Sequence, residues 1–347
     1  MDLPGIFTSP ETLRTAFENG LARQLENEAP GTFILVLANS LFDGHIFSKF
    51  NSRLAEKFEQ KKQDYSIRLK QGKQLSGAPD DILVLLKLIA IGFENLSTTE
   101  YRQTENWELQ FNQLRSLRPT RISGGTVSTL LRDFNEEAFH FNKAFLDREI
   151  FWSGDVAGIR VKLLYNKFPF ATLHGLLVPE PEKNLPQFLE DDMHDFISSF
   201  CRHLGNNIPN IGIAYNAYGA GASINHLHFQ TFCMQHPLPV MHGHWQHNGG
   251  SMPYPVSCKV FEDSESAWAE INKLHQENIT YNIIYLPEKI IVLPRQYQGK
   301  YKMPEWTENY AWNELCGGVT TFNQDDFLGL EEETITSALS ALRLSIS

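Results

Sequence analysis

The stretch Ile211-Gly-Ile-Ala-Tyr-Asn-Ala-Tyr-Gly-Ala-Gly-Ala-Ser-Ile-Asn-His-Leu-His-Phe-Gln230 decides how the rest of this chain is read. Its apolar opening predicts a strand over residues 211–217. A small-residue loop follows and runs straight into His-x-His-x-Gln. If that ending is also a strand, alternation puts His226, His228 and Gln230 on one face, with Ile224, Leu227 and Phe229 available for packing. Glycine lets a backbone come close to a ligand, and successive turn N–H groups leading to Ser223 make an anion cradle. An imidazole beside such a cradle is placed to attack phosphorus.

That chemistry assigns roles. A nucleophilic imidazole takes the α-phosphorus of a nucleotide, and a second acceptor then resolves the phosphoramidate, which splits one difficult transfer into two easier ones. His228 is the expected nucleophile because it sits between two polar same-face neighbours. Gln230 is expected to bond non-bridging oxygens, and His226 to orient a ring or a phosphate. The backbone N–H groups of residues 219–223, Gly219, Gly221, Ala222 and Ser223 among them, would stabilise charge on the equatorial oxygens. Other readings exist for the same residues. Histidines at i and i+2 also form metal pairs, and His236, His242, His244 and His247 add imidazoles nearby. Taken alone, Asn216 and Ser223 would serve equally to shape a turn. Arg121, Lys143, Arg160, Lys162, Lys167 and Arg295 are cations that could reach phosphates or simply lie on the surface.

Composition bounds the answer. The chain has 347 residues, 42% hydrophobic and 20% charged, as expected of a soluble globular protein with a substantial core. The net charge is −11 with no basic block, which argues against a nucleic-acid backbone binder. No secretory signal is visible at the start of the sequence. The most apolar stretch, residues 82–93, is interrupted by Lys87 and too short to span a bilayer. Cys201, Cys233, Cys258 and Cys316 are scattered without a Cys-x-x-Cys, which reads as reduced thiols and a cytoplasmic setting.

The rest of the sequence can be parsed around the motif. Ser9-Pro-Glu predicts a capped helix to about residue 26. Residues 32–38 suit a buried strand or helix, and the charged residues 56–73 a solvated helix or loop. Trp107, Leu109 and Phe111 predict a strand. Ile159, Val161 and Leu163 predict another, followed by one at 175–179. Met193, Phe196, Ile197, Phe200, Cys201 and Leu204 have helical spacing, opened by Asp191 and Asp192 and closed by Gly205. A weaker echo follows: a helix around Trp268, Ile271 and Leu274, then a hairpin over residues 281–294 turning at Pro287-Glu288. Its Val-Leu-Pro-Arg ending resembles the earlier Leu-Val-Pro-Glu, which suggests an internal duplication with histidines only in the first copy. Residues 331–344 predict a C-terminal helix.

Asn216 with its small-residue loop, followed by His226-Leu-His228-Phe-Gln230, resembles the active-site pattern of the histidine-triad superfamily in its transferase and phosphorylase branch. In galactose-1-phosphate uridylyltransferases an Asn, a Gly-x-Ser and a His-Pro-His-Gly-Gln occur in this order, and the second His is the one modified. That order implies a phosphate-binding role for Asn216, although its spacing to Ser223 is one residue shorter here. The segment Asn225-His-Leu-His-Phe-Gln230 is more similar still to the plant GDP-L-galactose phosphorylases and their animal GDP-glucose counterparts. Residues 130–142, Pro237-Leu-Pro-Val, residues 281–294 and Ala311-Trp-Asn-Glu-Leu-Cys-Gly-Gly318 extend this likeness over roughly residues 118–327. Three departures stand out. Gln230 occupies the place of a third His in the hydrolases, His174-Gly175 reverses the usual Gly-His order, and the zinc-binding cysteine pair of some uridylyltransferases is missing.

The resemblance implies an α+β fold: a duplicated histidine-triad-like antiparallel sheet with flanking helices, plus an N-terminal helical elaboration. The expected divisions are 1–117 for the elaboration, 118–248 for the catalytic half and 249–347 for a degenerate half. The implied activity is nucleotidyl transfer through a nucleotidyl-histidine, as phosphorolysis of a nucleoside-diphosphate sugar of the GDP-hexose kind. Alternatives are a dinucleoside polyphosphate phosphorylase or hydrolase, or a non-catalytic nucleotide- or metal-binding protein. The expected partners are a nucleotide sugar and inorganic phosphate, not nucleic acid or membrane, and a homodimer is left open. No resident metal or other cofactor is required, and Mg²⁺ would arrive only with the nucleotide's phosphates.

Overall fold

Strand pairing organises the molecule. A computed structural model describes residues 1–118 and 127–344. The N-terminal part supplies helices α1 (Pro10–Gln24), α2 (Pro30–Phe42), α3 (Gly44–Lys70) and α4 (Pro79–Ile91), strands β1 (Glu100–Gln103) and β2 (Glu108–Phe111), and the short α5 (Gln113–Ser116). Next come β3 (Ile150–Val156), β4 (Ile159–Tyr165), β5 (Thr172–Pro179), α6 (Asp191–Asn207), β6 (Ile211–Asn216) and β7 (Phe229–Cys233). The chain continues with β8 (Lys259–Phe261), α7 (Ser264–Gln276), β9 (Thr280–Tyr285) and β10 (Ile290–Arg295). It closes with α8 (Trp312–Leu315), β11 (Gly318–Thr321), α9 (Gln324–Gly329) and α10 (Glu332–Ser340).

Eight strands form one antiparallel sheet in the order β3-β4-β5-β7-β6-β9-β10-β8. Around the β6/β9 boundary the order reads the same outward in each direction, β7 then β5 on one side and β10 then β8 on the other. The two halves thus share one continuous sheet, each with a helix joining its outer strand to its inner one, α6 between β5 and β6 and α7 between β8 and β9. In that order β10 takes the place of β7, not of β5. The Val-Leu-Pro-Arg and Leu-Val-Pro-Glu endings therefore lie on strands that do not correspond. A second sheet, β1-β2-β11, joins the N-terminal region to the C-terminal one through the parallel β2–β11 pair.

The two faces of the large sheet are covered differently. Val161, Leu163, Leu177, Ile213, Tyr215, Phe229, Ile283, Tyr285 and Val292 pack against α1, α2, α6 and α7 in one large core. On the opposite face, Ala214, Phe232, Ile284, Ile291 and Leu293 pack under β2, β11, Trp312 and α10. Farther along that face, Leu164 and Val178 are covered by Phe141 and Leu146. The His-x-His-x-Gln motif lies where these two covers meet.

Local chemistry explains the elements. The Ser9 side chain accepts from the N–H of Thr12, and the Thr12 hydroxyl accepts in return, a reciprocal cap that starts α1. Residues 32–38 are helical: Pro30 opens α2, and every residue of that helix is buried, so its lack of polar spacing reflects surroundings on all sides. The charged stretch belongs to α3, which buries Ile46, Phe50, Leu54, Phe58, Lys61 and Tyr65 along one stripe and solvates the rest. Helix α6 runs through Gly205 to Asn207 instead of ending before it. A Cβ at Gly205 would lie 2.3 Å from the Pro287 ring, so this glycine serves a close approach and not a cap. All four cysteines are unpaired, and no helix among the described residues is long and apolar enough to cross a membrane.

Candidate active site

The motif departs from a strand where the chemistry begins. Regular pairing of β7 starts at Phe229, so Gln230 is in the strand while His226, in a bend, and His228 lie in the connection before it. Gln230 points to the same face as Phe232. His226 and His228 are 1% and 6% exposed, and both pack in tilted contact with Phe141, at ring separations of 5.7 and 5.0 Å.

Hydrogen bonds fix the tautomer of each ring. His228 Nδ1–H donates to the backbone carbonyl of His226 at 2.8 Å, so Nε2 carries the lone pair. Burial pushes the His228 pKa down to about 4, against a smaller opposing pull from that same carbonyl. The ring is therefore a neutral base at pH 7. The N–H of Phe141 donates to His226 Nδ1 at 3.1 Å, which places the proton of the neutral ring on Nε2. His226 Nε2 is buried without a hydrogen-bond partner. Burial lowers the His226 pKa to about 3, helped by His228, His140 and Lys162; the Pro181 carbonyl opposes this, from outside hydrogen-bonding geometry. A buried donor without a partner is costly unless a ligand fills the need.

Gln230 is held from two directions. Its Oε1 accepts from Trp312 Nε1–H at 2.8 Å and from His174 Nε2–H at 2.9 Å. An indole N–H can only donate, so the amide oxygen must face these groups and the amide NH₂ must turn away from them. His174 is fully buried, accepts from the N–H of Phe170 on Nδ1, and has its pKa lowered to about 3, chiefly by burial. Reversal of the usual Gly-His order therefore does not remove His174 from the site; it supports Gln230 from β5. Neither His174 nor Trp312 was expected here from sequence. Trp312 lies in the Ala311–Gly318 stretch, but nothing in that stretch shows which side chain it meets.

The loop before the histidines packs against the C-terminal segment. Gly219 and Gly221 have φ of +83° and +95°, and added Cβ atoms would lie 2.5 Å from the Tyr297 ring and 2.9 Å from the Tyr310 carbonyl. Both glycines are thus required by the fold, whatever their closeness to a ligand. The N–H of Ala220 donates to Ala217 O, which removes it from any anion cradle spanning residues 219–223. Ala222 is half-buried and Ser223 exposed. Asn216 is buried, and its Oδ1 accepts from Asn282 Nδ2 at 2.6 Å and from the N–H of Trp312 at 3.0 Å. Asn282 also donates to Ala220 O, so the second half of the sheet holds the loop of the first.

The cations divide. Lys162 reaches Asn142 and is near enough to His226 to disfavour its protonation. Lys143 donates to Glu136 O, Arg160 pairs with Asp155, and Lys167 with Asp81. Arg295 is fully buried on Tyr301 and the Tyr310 carbonyl and faces no site. Arg121 lies outside the described residues. Among the later histidines, His236 pairs with Glu108 and His247 bonds Val240 O. Among the described residues, no group of three or more His, Cys, Asp or Glu is placed to hold a metal ion.

Residues 103–232 match the family described as GDPGP1-like, N-terminal domain. The chain is 25% identical over 279 residues to GDP-L-galactose phosphorylase 1 of Arabidopsis thaliana, covering 68% of this chain and 62% of that one. It is 32% identical over 123 residues to GDP-D-glucose phosphorylase 1 of Macaca fascicularis, covering 33% of this chain and 31% of that one. The chain thus spans less than two thirds of the length of these curated relatives. In fold it is similar to yeast Ap4A phosphorylase Apa2, with a TM-score of 0.51 at 15% identity over 84% of this chain and 96% of that one. The same enzyme in complex with Ap4A gives 0.50 at 15% identity, over 77% and 99%. Residues 103–232 are thus similar to a GDPGP1-like N-terminal domain, the chain is similar in sequence to GDP-L-galactose and GDP-D-glucose phosphorylases, and its fold is similar to that of Apa2.

Proposed function

We propose that this protein is a nucleotidyl-transferring phosphorylase acting on a nucleoside-diphosphate sugar of the GDP-hexose kind. One observation carries the reading: a neutral His228 ring, locked through Nδ1–H onto the His226 carbonyl, with Nε2 left as a lone-pair donor. The names of the sequence relatives favour this substrate class.

In the first step His228 Nε2 bonds to the α-phosphorus, and the bond from that phosphorus to the bridging oxygen breaks. Sugar 1-phosphate leaves, and a nucleotidyl-histidine remains. Positive charge that develops on the ring is met by the Nδ1–H···O=C bond already in place. The His226 Nε2–H and the Gln230 amide NH₂ bind the non-bridging oxygens, with the N–H groups of Gly219, Gly221, Ala222 and Ser223 as further donors and Asn216 holding the loop's base. In the second step an oxygen of inorganic phosphate attacks the same phosphorus, releases His228 and yields the nucleoside diphosphate. Phe139 and Phe145, exposed beside Phe141, offer ring surfaces to the base.

The test is product analysis with GDP-glucose, with and without inorganic phosphate. The reading requires GDP and glucose 1-phosphate in equal amounts, and turnover that depends on phosphate. GMP released at the same rate without phosphate would instead establish a hydrolase. Turnover of a dinucleoside polyphosphate alone would move the substrate class.

A further inference from the structure

Pairing of β6 with β7 stops at Ala214↔Gln230, and pairing of β5 with β7 stops at Leu177↔Phe229. Continued by two more pairs, the first ladder would set Asn216 opposite His228. A side chain occupies that place instead. Gln187, from the connection between β5 and α6, donates its Nε2–H to the Asn216 carbonyl at 2.8 Å and to the His228 carbonyl at 3.1 Å. Its Oε1 accepts the N–H of His228 at 2.9 Å. The amide thus replaces one rung of the sheet and separates the two strands where the nucleophile stands.

Gln187 is itself fixed. It is 1% exposed, its N–H donates to Asn225 Oδ1 at 3.0 Å, and its carbonyl accepts from the Tyr215 hydroxyl at 3.2 Å. Asn225 in turn donates to the carbonyls of Arg132 and Asp133. In an unbroken antiparallel ladder, carbonyls lie in the sheet plane and point to the neighbouring strand. The interrupted rung frees the His226 carbonyl from that constraint, and it meets His228 Nδ1.

We propose that Gln187 is a positioning residue for His228: its amide holds the open rung and thereby sets the Nδ1–H···O=C lock that aims Nε2. This rests on His228 being the nucleophile. A positioning role makes a demand that a packing role does not: the amide must donate as well as accept.

Gln187→Met and Gln187→Glu test it, read by single-turnover labelling with GDP-glucose radiolabelled in its α-phosphate, beside GDP affinity by calorimetry and thermal melting. Gln187→Met fills the volume but keeps no bond. It should form the nucleotidyl adduct about 10- to 100-fold more slowly, with GDP affinity changed less than about threefold. Gln187→Glu loses both donors when ionised. Burial raises a carboxyl pKa, so as pH falls from 8 toward 6 the protonated acid regains one donor, and its adduct rate should recover relative to wild type. A Gln187→Met protein with wild-type adduct rate overturns the proposal, as does one in which rate and GDP affinity fall together. If Gln187→Met does not fold, the Gln187→Glu ratio decides, and a ratio independent of pH overturns the proposal. A wild-type control without adduct overturns the His228 assignment and this proposal with it; a normal control with unaffected variants overturns this proposal alone.

Discussion

The β6–β7 and β9–β10 hairpins lie side by side in one sheet, related by the reversal of strand order about their common boundary, yet they are joined in opposite ways. Between β9 and β10 the chain turns in residues 286–289, with Leu286 and Lys289 exchanging backbone bonds. Between β6 and β7 it takes residues 217–228, with two glycines at positive φ and both motif histidines. The short turn leaves an unbroken ladder and no chemistry. The long connection breaks its ladder at His228 and needs support from elsewhere: Gln187 in the missing rung, Asn282 of β9 under the loop, Trp312 and His174 on Gln230. In the proposed mechanism the reacting histidine thus stands where a hairpin is interrupted, and the matching hairpin supplies part of the scaffold around that interruption.

The largest effect expected from this contrast is at His228. Replacing it by Ala should lower turnover of GDP-glucose by several orders of magnitude, as for any covalent nucleophile, with His226→Ala impairing it less. Steady-state kinetics on both variants decides; equal losses would undo the division of roles. Next comes Trp312→Phe, which keeps the stack on Phe232 but removes the indole donor from Gln230. Losing one hydrogen bond of about 1–3 kcal/mol should cost about 10-fold in kcat, with a small change in Tm. An unchanged kcat would show that the second half does not orient Gln230.

How much of this the sequence revealed follows the same division. The strands of both hairpins, the cap at Ser9 and the helix at residues 191–204 were readable because their side-chain periods match their surroundings. Residues 32–38 were ambiguous because α2 is buried all round, so no polar face marks its period. The motif's shared face was readable, but its departure from strand pairing was not: Gln187 lies far from it in sequence, and a lone glutamine before a helix carries no signal. His174 and Trp312 were missed as Gln230's partners for the same reason, since their bonds join β5, β7 and α8, which only the fold brings together.

A smaller effect concerns pH. An ordinary imidazole nucleophile would cost about 30-fold in rate by pH 5 through protonation, whereas His228, with its pKa lowered to about 4, stays almost entirely deprotonated there. The kcat/KM profile should therefore show no His228 titration between pH 7 and 5. Stability should change in the same interval. His174, His226 and His228 are held neutral in the fold and take up protons more readily when unfolded, so Tm should decline as pH drops below about 6.5 toward 4. A kcat/KM profile falling with a midpoint near 6.5 while the fold stays intact would contradict the buried neutral ring. The smallest effect belongs to the short turn: Glu288 is exposed there, and Glu288→Ala should leave turnover unchanged and shift stability by less than about 0.5 kcal/mol.

The most direct test of the central claim is mass spectrometry of a wild-type reaction with GDP-glucose, quenched before phosphate is added and digested under conditions that preserve phosphoramidates. The account predicts one guanylyl group on the peptide containing Asn225-His-Leu-His-Phe-Gln230, localised to His228 and discharged as GDP when phosphate is supplied. An adduct on His226, or substrate turnover without any adduct, would contradict it.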